Sequence, residues 1–156
     1  MTTENHAAEQ AKAQAESISA MIAAVNLDWD RLEELRDMNQ DDMSEDDGAE
    51  LAELESIEGE YSSQEDAIQA IQDDPLSVEV RSDWQSLGEP LVASEFCILL
   101  CTGGPAVRIL GELDENKEPA RAWIEYQDWG TPWTQAFNVI EQETLLAYCS
   151  QFYFGE

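Results

Sequence analysis

Carboxylates recur at close spacing between residues 30 and 58. Asp30, Glu33, Glu34 and Asp37 come first, then Asp41, Asp42, Glu45, Asp46 and Asp47, then Glu50, Glu53 and Glu58. Crowded acids can hold a cation, share a proton in hydrolysis, or present negative charge to a basic partner. The calcium-loop spacing fails in both registers. A loop begun at Asp37 has Asp42 where the turn needs glycine and Gly48 where the bidentate glutamate belongs. One begun at Asp42 recovers Glu53 as the last ligand but puts Asp47 at the glycine position. No spacing singles out one carboxylate pair for glycoside hydrolysis.

The remaining reactive side chains do not assemble a familiar site. His6 is the only histidine and falls in a fraying first helical turn, which disfavours Ser-His-Asp and Cys-His arrangements. Cys97, Cys101 and Cys149 are an odd set in apolar surroundings without a CxxC pair, which suits buried free thiols in a reducing compartment. A reactive Cys101 would draw on Arg108 across the hairpin. Gly103-Gly104 follows an apolar run, but GGPAVR has neither Walker nor GxGxxG spacing, so a tight turn is expected there. The expectation is no enzyme, with no catalytic residue, cofactor or metal ligand.

Charge is then what needs a function. Thirty-five acids against seven bases give a net −28, well beyond what solubility requires. That balance excludes direct binding to nucleic acid and to anionic membranes. It favours a basic protein surface. Duplex DNA carries about one negative charge per 1.7 Å of axis, and acids three or four apart on a helix stand about 5–6 Å from one another. The rows Asp30, Glu33, Glu34, Asp37 and Glu50, Glu53, Glu58, with the acids between them, can therefore imitate a phosphate track.

These acids need a frame. Ala8, Ala11, Ala15, Ile18, Ile22, Val25, Trp29 and Leu32 alternate steps of three and four, the pattern of a helix seam. Thr2 and Thr3 can cap its start, and Asn26 or Asp28 can begin a second helix, so it is one long helix or two jointed near residue 27. Either the seam lies on its own domain, or Ile18, Ile22, Val25 and Trp29 carry a homodimer. Ser44 and Ser63, each with Asp three residues on, predict capped helices over 45–58 and 64–73, with a loop over 39–47. The acids concentrate here: 22 acids and 3 bases before Pro75 give −19, and 13 and 4 from there on give −9.

The chain changes period after Pro75. SVEVR alternates as a strand with one wet face, and EFCILLC is the longest apolar run, too short for a helix and suited to a central strand. Val107, Ile109 and Gly111 share one face of the next strand. Ala120, Ala122, Ile124 and Tyr126 line the one after, with Asn116 left-handed at the tip between them. Gly130 and Pro132 forbid regular structure in YQDWGTPW. Its Trp129 and Trp133, with Tyr126 and Phe137, either fill the core or form a partner-binding patch. A last helix from Glu141 carries Leu145 to Tyr153. The expected fold is α+β: acidic helices over 1–75, then over 76–156 a four-stranded antiparallel meander closed by a C-terminal helix.

The strings ILLCTGGPAVRI, ARAWIEYQDWGTPWT and QFYFGE resemble a group of small acidic proteins of bacterial and phage mobile elements, over about residues 77–156. The resemblance implies a mobile-element setting and carries over no catalytic residues. With the charge, it points to a cytoplasmic inhibitor in a bacterial host that mimics DNA against a defence nuclease, of anti-restriction or anti-CRISPR type. The alternative is a non-enzymatic adaptor working through the helical seam and the Trp129/Trp133 patch.

Overall fold

The computed structural model describes residues 6–103 and 105–154. Thr2, Thr3 and Gly104 of the expected caps and turn lie outside them. The fold is α+β. Helices α1 (His6–Val25), α2 (Trp29–Asp37), α3 (Glu45–Glu58) and α4 (Gln64–Asp73) precede strands β1 (Ser77–Ser82), β2 (Ala93–Cys101), β3 (Ala106–Leu113), β4 (Pro119–Gln127) and β5 (Thr134–Ala136). Helix α5 (Gln142–Cys149) follows. The strands pair in chain order, each antiparallel to the next.

Local chemistry sets the helix ends. Asp28 accepts from the Arg31 N–H at 3.0 Å and starts α2, so the seam is two helices and not one. Ser44 and Asp47 form the complete reciprocal cap of α3. Ser63 caps α4 through the Asp66 N–H, but the Asp66 carboxylate turns to the Ser62 N–H instead. The loop expected over 39–47 is shorter, because a 3-10 turn forms at Gln40–Asp42 and α3 is already under way at Glu45.

One core crosses the switch from helices to strands. Ala11, Ala15, Ile18, Met21 and Ile22 of α1 and Ile71 of α4 pack with Phe96, Ile98, Val107, Ile109, Ala122 and Ile124 of the sheet and with Leu145, Tyr148 and Cys149 of α5. Alternation places Phe96, Val107, Ile109 and Ala122 on the same side, as period two requires. Both α1 and α5 lie on that side, α1 against β3 and β4 and α5 against β4. The Tyr148 hydroxyl donates to Asp74 at 2.7 Å and ties α5 to the end of α4.

Four expectations are corrected. The sheet has five strands: the irregular segment is confined to a turn in which Thr131 bonds Asp128 and Gly130 takes φ 72°, and residues 134–136 then return along β4. Lys117, not Asn116, is left-handed, because the Asp114 carboxylate accepts the N–H groups of Asn116 and Glu118 and fixes that turn. Helix α5 ends at Cys149, and Tyr153 beyond it is exposed. β1 is wet on both faces, since α1 and α5 do not cover Val78 and Val80.

Candidate functional site

Helices α2 and α3 carry the acidic surface. Arg31 Nε and its terminal nitrogen donate to the two Glu50 oxygens at 2.8 and 3.0 Å, and the same guanidinium reaches Glu34 at 3.0 Å and Asp47 at 3.6 Å. Arg36 donates to Glu58 at 2.9 Å and to Glu55 at 3.1 Å. The pairs climb both helices in the same sense, 31 with 47 and 50, 36 with 55 and 58. The two helices therefore stand side by side with their N-termini at one end. Parallel neighbours set like dipole ends together, and the two arginine forks between them offset that repulsion. Hydrogen bonds from Arg31 and Arg36 hold Glu50 and Glu58, respectively, below the usual carboxylate range.

The expected track is thus divided. Glu34, Asp47, Glu50 and Glu58 are engaged by arginine, so Glu50, Glu53 and Glu58 do not form one free row: two turn toward α2 and Glu53 turns to solvent. Asp30, Glu33, Asp37, Asp41, Asp42, Glu45, Asp46 and Glu53 are exposed and carry no ion pair among the described residues. A groove of about 580 Å³ opens beside Asp30 and Glu33. Leu27, Leu32, Arg36, Asp30, Glu33 and Glu65 are among its lining residues.

The candidate self-association residues are turned inward. Ile18 and Ile22 are buried on the chain's own sheet and Val25 packs against the same core. Trp29 is half-buried, its indole N–H donating to the Ala24 carbonyl at 2.9 Å. The seam lies on its own domain. The aromatic set separates as well. Tyr126 packs on the core, Trp133 lies 3.9 Å beneath the Arg108 guanidinium, and Trp129 (82% exposed) and Phe137 face solvent.

On the helix-free face of the sheet stands a cluster that sequence reasoning missed. Arg108 donates to Glu125 at 3.0 and 2.7 Å, the Trp123 indole donates to the other Glu125 oxygen at 3.1 Å, and Arg121 lies 4.9 Å over Trp123. The alternation of ARAWIEY puts Arg121, Trp123 and Glu125 on one side; only the β3–β4 register sets Arg108 opposite Glu125. Burial pushes the Cys97 and Cys101 thiols up, with nearby Arg108 opposing at Cys97, and it raises the buried Cys149 strongly. A raised thiol is a poor nucleophile near neutral pH. Among the described residues no His, Cys, Asp and Glu group is placed to hold a metal ion, and no helix is long and apolar enough to cross a membrane.

Comparison with family models, curated proteins and solved structures finds no match. The case for function therefore rests on this chain's own surface.

Proposed function

We propose that the chain is an acidic inhibitor that occupies the nucleic-acid channel of a basic protein by imitating DNA, with a host defence nuclease as the target class. One observation carries this reading: the acids of α2 and α3 stand on an ordered helical pair. Helices α2 and α3 together contain eleven carboxylates and two arginines, a net −9. Helix α3, at 14 residues, is about 21 Å long. The same length of duplex carries about twelve phosphate charges. The helical pair thus presents about three quarters of the duplex charge over that length, a density to which a surface built to receive DNA would respond. Such a surface would be steered onto the protein by long-range attraction, with an on-rate that falls steeply as salt rises. A second reading, an adaptor without catalysis, is favoured by the exposure of Trp129 and Phe137.

The test is capture from the native host at low salt after nuclease treatment, followed by competition with duplex DNA. Wild-type protein should retain a DNA-binding protein and lose it to added duplex or salt. Changing Asp30, Glu33, Asp37, Glu45, Asp46 and Glu53 to their amides should weaken capture stepwise while Arg31 and Arg36 keep their partners. Capture unaffected by all six changes would refute the mimic. Salt-insensitive capture abolished by Trp129→Ala would favour the adaptor.

A further inference from the structure

We infer that β1 is a self-pairing edge, and that two copies of this chain join antiparallel through it into one continuous ten-stranded sheet. No strand among the described residues pairs with the outer side of β1, and an open edge is a template for another strand. Its apolar side is also unfinished. Val78 and Val80 lie opposite Ile98 and Phe96 on the core side of the sheet, yet they are 39% and 50% exposed, and Leu76 is 60% exposed. Trp84, just past the strand, is bare.

What names a second copy as the occupant is charge. A twofold antiparallel pair of identical strands must put each residue opposite its reflection about a central one. To keep the valines on one face the centre must fall on a residue, because a shift by one turns every side chain over. Centring on Glu79 sets two glutamates face to face, and centring on Arg81 does the same with two arginines. Centring on Val80 instead sets Glu79 opposite Arg81 of the partner copy, twice, around a Val80–Val80 contact. The same alignment brings Trp84 of each copy beside Leu76 of the other. Centring on Val78 is equally apolar but sets Glu79 opposite Ser77 and forms no ion pair, so the Val80 register is the one that joins the valines and also pairs opposite charges. The surface is separate from α2 and α3, so it stands or falls independently of the proposed inhibition.

Sedimentation of the full chain tests this, with a designed pair of variants. Wild type should be a concentration-dependent dimer. Glu79→Lys breaks no ion pair among the described residues, and it sets a lysine against Arg81 of the other copy. It should dimerise about tenfold to a hundredfold more weakly. Arg81→Glu, checked for folding by circular dichroism because it also loses the Glu95 partner, should be equally weak alone. Mixed in equal amounts the two variants regain both opposite-charge pairs and should form a heterodimer. A wild type that stays monomeric from micromolar to millimolar concentration would overturn the inference. So would a Glu79→Lys chain that dimerises like wild type, or a mixture that stays monomeric beside a dimeric wild type.

Discussion

Gly111 is the position at which one added methyl group should cost most. It sits in β3 directly opposite Phe96 of β2, on the buried side of the sheet. A Cβ built there would collide with the edge of the Phe96 ring and come within 2.6 Å of the Arg121 carbonyl oxygen. Neither can retreat easily. The carbonyl belongs to the neighbouring strand, and the Phe96 ring is 2% exposed and stacked on Phe154 at 4.7 Å. Overpacking of this kind costs about 1–3 kcal/mol, and a displaced aromatic ring puts Gly111→Ala near the upper end. At about 2–4 °C per kcal/mol for a domain of this size, the midpoint should fall by about 6–12 °C. Thermal unfolding followed by far-ultraviolet circular dichroism measures it. Gly48→Ala is the control, since nothing lies within 4 Å of its Cβ and it is interior to α3. That change should stabilise by about 0.5–1 kcal/mol. A Gly111→Ala protein melting within a degree or so of wild type would refute the packing at the centre of the sheet.

Two further outcomes concern how the parts are tied. Tyr148→Phe removes the hydrogen bond to Asp74 across α4 and α5; a bond to a charged acceptor is worth about 1.5–3 kcal/mol, and urea unfolding should show a loss in that range. Acidification should release α3 before the core. The folded values of Glu50 and Glu58 are lowered by their arginine hydrogen bonds, so their contribution is full above the unfolded value of about 4.3. It disappears as pH falls through the lower folded values. Hydrogen exchange should show residues 45–58 losing protection between about pH 5 and pH 2, ahead of residues 96–109; simultaneous loss would count against the arginine forks as the joint.

What could be read from the sequence follows from how local each cause is. Capping and hydrophobic period act within four residues, so Ser44 and Ser63 gave helix limits of 45–58 and 64–73 that the structure reproduces. Turn chemistry is almost as local, but at residues 114–118 the Asp114 side chain, not the conformational tolerance of Asn116, decided which residue became left-handed. The fifth strand has three residues and no alternation of its own; it exists because a turn aims it at β4. In the candidate site the acids were visible, but their division was not. Which carboxylates remain free depends on where Arg31 and Arg36 point, and that is set by the packing of α2 on α3.

The distribution of charge separates holding the fold together from whatever the acids are for. No charged or polar residue belongs to the buried set among the described residues; the core is aliphatic, aromatic and thiol. A carboxylate at the surface of a chain with net −28 repels its neighbours, and each further one adds to the strain on compaction. Folding alone gives no reason to gather fourteen of them over residues 28–58. The five arginines fall in two groups. Arg31 and Arg36 bind the acidic helices to one another, while Arg81, Arg108 and Arg121 each meet a glutamate on the sheet. Arginine is thus placed where acids must be held, and the outward rim of Asp30, Glu33, Asp37, Glu45, Asp46 and Glu53 is left without it. A partner that supplies the missing cations would relieve the repulsion as it binds, which gives the attraction its source and makes it most sensitive to salt.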